Sequence, residues 1–300
     1  MGLSQVKKYE DLSFARWVAV GNKLGGLANV LGILSGELEV EVREAANTLF
    51  DSYGRRIPLP MLSAEVCDPE RDLYLEQPMT IIYAERLERL EEMLGAKTGI
   101  TAGQFQMRTR KLLATIRENP QIVKCLRGVW LPVVLPQLRE EDLSTALEEY
   151  LGVVEKSYLA EFPERKFLSR RKEKLAGRVS VVANSRHDQL IARMRQEPVV
   201  GIYSPNSLQG FSMDASGEQI ESLPEQFSLS GLDASVAMIM YPDVLARGCN
   251  TPFLNLAALS WGRTDYSFDF GASDDELEFK ITSYQGSSSD PDISSGLFFS

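Results

Sequence analysis

Five glycines interrupt a largely apolar stretch near the start of the chain, and they restrict what this stretch can form. The stretch is AVGNKLGGLANVLGILSGELE, residues 19–39, with glycines at Gly21, Gly25, Gly26, Gly32 and Gly36. Its leucines recur at alternating spacings of three and four, which predicts one face of an α-helix. These leucines are Leu24, Leu27, Leu31, Leu34 and Leu38. Each glycine inside a helix costs about 1 kcal/mol relative to alanine, so this helix needs packing partners or breaks near Gly25-Gly26.

The small residues of this helix favour close approach of a second helix. Gly21 with Gly25, and Gly32 with Gly36, are small-x-x-x-small pairs. We therefore predict an interaction helix whose contact residues are Gly21, Gly25, Gly32, Gly36, Leu24 and Leu31. Packing in the protein's own core and association of residues 14–38 with a membrane surface are the alternatives. A membrane-spanning helix is excluded by the polar residues Asn22, Lys23 and Asn29.

The first half of the chain is predicted to be mainly helical. The leucine stripe continues in step through Val42, Ala45 and Leu49 to a stop near Tyr53-Gly54. Further helices are predicted from Pro78 to Gly95, from Ala102 to Glu118, and from Asp142 to Tyr158. The segment GVWLPVVLP (residues 128–136) contains two prolines and is predicted to be buried and extended, without regular secondary structure.

The second half has a mixed pattern. Val179–Val182 and Val199–Tyr203 predict buried strands around a short helix, and residues 204–230 predict loops. DYSFDF and ELEFKI alternate apolar and polar residues around the turn sequence GASDDE, which predicts a β-hairpin. The last segment, SSSDPDISSG followed by three apolar residues, is predicted to be a mobile polar tail. We thus predict an α+β protein, with a mainly helical region over residues 1–160 and a mixed region with a small sheet over residues 161–300, or one continuous domain.

Composition indicates an ordinary globular protein in a reducing compartment. The formal net charge is −10, which disfavours nucleic-acid binding over the whole surface. Cys67, Cys125 and Cys249 are odd in number and far apart, which is untypical of a disulfide framework. The acidic pair Glu10 and Asp11 precedes any apolar run, unlike a secretory signal. We therefore expect a cytoplasmic protein without a transmembrane span.

Catalytic and cofactor motifs are largely missing. The glycine spacing does not match G-x-G-x-x-G, and LGAKTGIT (residues 94–101) lacks the glycines of a phosphate-binding loop and predicts a helix end. The single histidine, His187, lies beside Asp188, which is suited to orient it, and no G-x-S-x-G elbow supplies a serine. The acidic clusters at residues 274–278 and 214–221 are candidates for calcium but do not have EF-hand spacing. We predict no metal and no cofactor.

One segment is strongly basic within this acidic chain. ERKFLSRRKEKLAGR suits contact with phosphate groups, in nucleic acid, lipid or nucleotide, or else pairing with the protein's own acidic surface. Its cations are Arg165, Lys166, Arg170, Arg171, Lys172, Lys174 and Arg178.

These observations lead to one main functional prediction. We predict an assembly subunit that acts through protein–protein contacts, as a homo-oligomer or with another protein. The alternatives are nucleic-acid or phosphate-ligand binding through residues 165–178, and an enzyme that uses Asp and Glu carboxylates with His187.

Overall fold

Helices and strands are both abundant in the chain, which confirms the α+β class. The computed structural model describes residue 24 and residues 26–39, 48–171, 174–175, 177–262, 266–283 and 288–300. The chain divides into two units, residues 1–46 and residues 47–300.

The first unit contains one described helix, α1, Leu27–Ser35. Gly26 precedes it with φ 89°, and Gly36 ends it in the left-handed conformation with φ 78°. Such angles suit glycine, which has no Cβ to clash. The prediction of a longer helix is therefore wrong at its C-terminal side, because the chain turns at Gly36; Val42 and Ala45 lie outside the described residues.

The second unit places its helices around a large sheet. These helices are α2 (Tyr83–Leu94), α3 (Ala102–Glu118), α4 (Leu143–Glu161), α5 (His187–Gln196), α6 (Met213–Glu221), α7 (Leu232–Met240) and the short α8 (Pro242–Leu245). A 3₁₀ turn, Val123–Arg127, follows α3.

Eight of the described strands form one mixed sheet, larger than the small sheet predicted. Its order is β1-β4-β10-β6-β8-β9-β2, with β5 also paired to β10. The bounds are β1 (Leu131–Leu135), β2 (Lys166–Ser169), β4 (Val199–Gln209), β5 (Phe227–Leu229), β6 (Phe253–Asn255), β8 (Tyr266–Ala272), β9 (Glu276–Ser283) and β10 (Ile293–Phe299). β3 (Val179–Val181) and β7 (Leu259–Trp261) form a separate pair.

Local sequence signals account for the helix ends. Thr101 and Gln104 form a capping box at the start of α3, with each side chain bonded to the other residue's backbone N–H. Asp142 accepts hydrogen bonds from Ser144 N and Thr145 N at the start of α4. Gly95 ends α2 in the left-handed conformation, as predicted. These short-range contacts confirm the predicted start of α4 and both ends of α3.

Several segments are more regular than predicted. Residues 131–135 form strand β1, in which Pro132 is tolerated because β1 is at the edge of the sheet. Residues 204–230 contain the end of β4, helix α6 and strand β5 instead of loops. Residues 293–299, in the segment predicted as a polar tail, form the buried strand β10. In each case pairing or packing with distant parts of the chain outweighs local composition.

Strands β8 and β9 pair antiparallel with Phe268 opposite Ile281 and Phe270 opposite Phe279. The Phe268 and Phe279 rings stack with centroids 5.7 Å apart. The intervening polar residues Ser267 and Asp269 are also buried, so both faces of β8 are covered. Asn255 donates to Asp269 Oδ1 at 2.9 Å and accepts from Ser267 Oγ at 3.1 Å, which satisfies these buried groups.

Candidate functional site

Helix α1 presents its leucines to solvent. Leu27 is 74% exposed, Leu31 55% and Leu34 78%. Their spacing of four and three residues places them on one face, and Leu38 just beyond the helix is also exposed. We call Leu27, Leu31 and Leu34 the leucine face; Leu38 folds back over Gly32, on another side of the helix. The leucine face is an unusual concentration of exposed large apolar side chains on so short an element.

The glycines of this region have roles that differ from the predicted helix contact. Gly32 is buried under Leu38, because a Cβ at Gly32 would lie 2.8 Å from Leu38 Cδ1. A hydrogen bond from Leu38 N to Gly32 O at 2.9 Å holds the chain after the helix against α1. Gly36 ends the helix in the left-handed conformation. Leu24 lies in a turn before α1, and Gly21 and Gly25 lie outside the described residues.

The basic segment forms edge strand β2 and its flanks, and three of its arginines bind the protein's own acceptors. Arg165 donates to Arg247 O at 2.8 Å. Arg170 Nε donates to Glu278 Oε1 at 2.8 Å, and Arg171 Nη1 to Glu148 Oε1 at 2.7 Å. Of the other cations, Lys166 and Lys174 are exposed, and Arg178 lies 5.4 Å from the centroid of the Trp261 ring. Lys172 lies outside the described residues.

Residues 94–101 serve as a helix end. Glu91 Oε1 accepts from Thr98 N at 3.0 Å and from Thr98 Oγ1 at 2.9 Å. Glu91 also pairs with Lys97 at 2.6 Å. The lysine and threonine that resemble a phosphate-binding loop therefore hold the turn after α2 closed.

His187 is fully buried, and its acidic neighbour is not the one predicted. Its Nδ1 lies 3.7 Å from Asp233 Oδ1, and both side chains have no solvent exposure. His187 Nε2 accepts from Leu232 N at 3.2 Å. Asp233 Oδ2 accepts from Ser230 Oγ, and Oδ1 from Gly231 N, both at 2.7 Å. The charge of Asp188 raises the pKa of His187, and the structure adds a contact with Asp233 that the separation in sequence concealed.

Burial sets the protonation of this pair. Desolvation lowers the pKa of His187 to about 4 and raises the pKa of Asp233 to about 6. A neutral imidazole accepting from a backbone amide is consistent with these directions. The pair is thus a buried polar contact that joins α5 to the start of α7. Neither residue lines any of the clefts described below.

The acidic clusters are used locally. Asp274 Oδ1 accepts from Cys249 N at 3.2 Å, and Ser273 Oγ donates to Asp275 at 3.0 Å. Residues 214–221 belong to helix α6. Among the residues that the structure describes, no group of three or more His, Cys, Asp or Glu is arranged to hold a metal ion.

Three clefts follow one another along the segment from Pro69 to Tyr83. A cleft of about 330 Å³ lies between this segment and the turn around Tyr53. The next, of about 540 Å³, shares Tyr74 with the first and faces Arg247 and Cys249. The third, of about 520 Å³, lies between Met79, Tyr83 and Trp130. These volumes are in the range of small-molecule sites.

These clefts could not be predicted from the sequence, because their walls come from distant parts of the chain. Tyr53 lies in a turn that ends with a bridge between Phe50 and Arg56, whereas Asn206 and Gln209 belong to β4. No spacing in the sequence relates these positions. The available local signal was only the density of turn-forming and aromatic residues around Tyr53 and Tyr74.

No helix among the described residues combines the length and apolar character needed to cross a membrane. Comparison of the chain with protein-family models, with curated proteins and with solved structures found no match.

Proposed function

We propose that this protein acts through protein–protein contacts made by the leucine face, as a subunit of a homo-oligomer or of a larger assembly. The observation that supports the proposal is the exposure of Leu27, Leu31 and Leu34 on one side of α1. Contiguous exposed apolar side chains are typical of interaction sites.

The energetic scale favours a symmetric contact. Full burial of an exposed leucine contributes about 1.5–3 kcal/mol, and the three leucines of the face are 55–78% exposed, so burying them contributes about 3–6 kcal/mol. Association costs about 4–15 kcal/mol in lost translational and rotational freedom. One leucine face against a polar surface would therefore bind marginally. Two copies that pack face to face bury the leucines of both, so a second copy of this chain is the preferred partner.

Charge supports the same arrangement. The chain has a formal net charge of −10, so two copies repel each other over most of their surface. Residues 26–36, GLANVLGILSG, carry no charged side chain. An uncharged apolar face is where two like-charged molecules approach at the lowest electrostatic cost.

The proposal is tested by replacing Leu27, Leu31 and Leu34 with serine in the full chain. Light scattering and sedimentation at 1–50 µM, a range chosen to span weak association, should show an assembled wild type and a variant shifted to monomer. The shift in dissociation constant should be at least 100-fold, because about 3 kcal/mol or more of apolar burial is lost.

The control is Ala28→Ser, which changes an exposed residue of α1 outside the leucine face. It should leave the assembly unchanged. A wild type that is strictly monomeric and captures no protein partner would contradict the proposal. Flotation of the wild type with liposomes, lost in the triple variant, would instead assign the face to a membrane surface.

Phosphate or nucleic-acid binding through residues 165–178 has less support, because Arg165, Arg170 and Arg171 already donate to the protein's own oxygens. Catalysis by His187 with a carboxylate has less support because the imidazole is completely buried.

A further inference from the structure

The cleft between Tyr53 and Tyr74 has two aromatic walls. Tyr53 is 63% exposed and Tyr74 53% exposed, and both line the same cleft of about 330 Å³. Exposed tyrosines in a concave site offer flat apolar faces for a ring to stack on. We call this the Tyr53–Tyr74 cleft.

The walls are held in place by backbone contacts. Asp51 Oδ1 accepts from Tyr53 N at 2.8 Å and from Arg55 N at 3.0 Å, which closes the turn that carries Tyr53. Gly54 has φ 81°, and a Cβ there would lie 2.2 Å from Gly128 N, so this turn packs tightly on the chain around Gly128. On the other side, Tyr74 N donates to Asn250 O at 2.8 Å. A site with fixed walls loses little entropy when a ligand binds.

The floor is formed by two amide side chains of β4. Gln209 is buried, and its Nε2 donates to Glu70 O at 3.1 Å and Pro291 O at 3.2 Å, which leaves Oε1 without a hydrogen bond among the described residues. Asn206 also lines the cleft, and its amide has no hydrogen-bond partner within the described part of the chain. These amide groups can hydrogen-bond to polar atoms at the edge of a ring.

Two arginines line the cleft together with the carboxylates Asp51 and Glu70, and neither guanidinium forms a salt bridge among the described residues. Arg55 donates to Gln209 O at 2.7 Å and to Cys67 O at 2.6 Å, and both acceptors are neutral carbonyls. The Arg71 guanidinium lies 4.9 Å from the centroid of the Tyr53 ring, and in the described structure no carboxylate forms a salt bridge with it. The pKa of Arg55 is lowered, mainly by burial; the charges of Asp51 and Asp68 act against this lowering, and Arg71 adds to it. A bound anion would pair with the guanidinium charges.

We propose that the Tyr53–Tyr74 cleft is a binding site for a small planar aromatic anion, meaning an aromatic ring that carries a phosphate or carboxylate group. The ring stacks against Tyr53 or Tyr74 and the anionic group pairs with Arg71. The amides of Asn206 and Gln209 hydrogen-bond to polar atoms on the ring. All residues of the cleft belong to the second unit, whereas the leucine face belongs to the first.

Isothermal titration of the full chain with four probes tests the proposal. AMP and benzoate combine a ring with an anion, adenosine has the ring alone, and inorganic phosphate has the anion alone. AMP or benzoate should bind at least 10-fold more tightly than adenosine and phosphate, because only these probes use both the ring wall and Arg71. Whichever of the two binds more tightly identifies the anionic group as phosphate or carboxylate.

Variants then assign the contacts. Arg71→Gln should reduce the affinity of the tighter probe at least 10-fold and leave that of adenosine unchanged. Tyr53→Leu or Tyr74→Leu should weaken all ring-containing probes, whereas Tyr53→Phe should retain them. Arg108→Gln, at an exposed position of α3 outside the cleft, is the matched control. The Leu27, Leu31 and Leu34 serine variant should bind as the wild type does.

Three results would overturn the proposal. The first is phosphate binding as tightly as the tighter of AMP and benzoate, which would make the site a simple anion site. The second is binding that persists in both Arg71→Gln and Tyr53→Leu variants whose circular dichroism spectra match the wild type. The third is no detectable binding of AMP or benzoate at millimolar concentration.

Discussion

At the scale of single residues, the contact between His187 and Asp233 shows how burial shifts pKa values. Desolvation favours the neutral form of both side chains. Both side chains are inaccessible to solvent, and their nearest polar atoms are 3.7 Å apart, too far for a hydrogen bond. Asp233 is instead satisfied by Ser230 Oγ and Gly231 N. Gly231 is required to be small, because a Cβ there would lie 2.6 Å from His187 Nε2.

The two groups have opposite effects on stability in acid. The pKa of Asp233 rises from 3.8 to about 6 on folding, so the stability it contributes is present below pH 3.8 and is lost as pH rises through 6. The pKa of His187 falls from 6.5 to about 4, so its contribution is present above pH 6.5 and is lost as pH falls through 4. Between pH 4 and 6 these two effects largely cancel.

Asp233→Asn removes the opposing contribution of Asp233, so the pH dependence of stability that His187 causes should become measurable. At about 1.4 kcal/mol for each pH unit between folded and unfolded pKa values, the free energy of unfolding of the variant should rise by about 2–3 kcal/mol more than that of the wild type between pH 4 and 6.5. Urea unfolding at several pH values across this range measures the difference. Asp214→Asn, at an exposed position, is the control. Parallel pH profiles for wild type and Asp233→Asn would contradict the expectation.

At the scale of elements, the helix ends were the most predictable features. The bounds of α3 follow from contacts within a few residues, namely the capping box of Thr101 and Gln104 at one end and Asn119-Pro120 at the other. The strands were less predictable. β1 contains Pro132, and β4 extends through Pro205 and Asn206, which local propensity assigns to loops.

Thr101→Ala should destabilise the protein by about 1 kcal/mol, because Gln104 N loses its acceptor at the start of α3. Chemical denaturation measures the change. Thr115→Ala within the same helix is the matched control; its hydroxyl bonds only to Lys111 O, and its loss should cost less than about 0.5 kcal/mol. Equal losses in the two variants would show that the cap does not stabilise α3.

At the scale of the whole molecule, the last strand organises the sheet. β10 pairs with β4 on one side and with β6 and β5 on the other. Leu297, Phe298 and Phe299 are buried, and Gly201 makes room for the Phe298 ring, since a Cβ at Gly201 would lie 2.1 Å from it. The C-terminal strand therefore lies inside the sheet, between strands formed by residues 199–209 and residues 253–255.

Removal of the last eight residues should prevent cooperative folding, because three strands lose a pairing partner and three large side chains leave the core. Removal of residues 1–46 should leave the melting temperature within a few degrees of the wild type, since residues 47–300 form their own unit. Near-ultraviolet circular dichroism during heating tests both. A cooperative transition in the chain that lacks residues 293–300 would contradict this assignment of β10.

The α+β class, the ends of several helices and the placement of the α1 leucines on one face could be predicted from the sequence, whereas the exposure of those leucines came from the structure. The predictable features depend on the period of apolar residues and on contacts within a few positions. The sequence did not determine which strands pair, which acid meets His187, or which side chains line the Tyr53–Tyr74 cleft. Those relations join residues separated by dozens to more than a hundred positions, and only the tertiary structure decides them, through mutual burial and long-range backbone pairing.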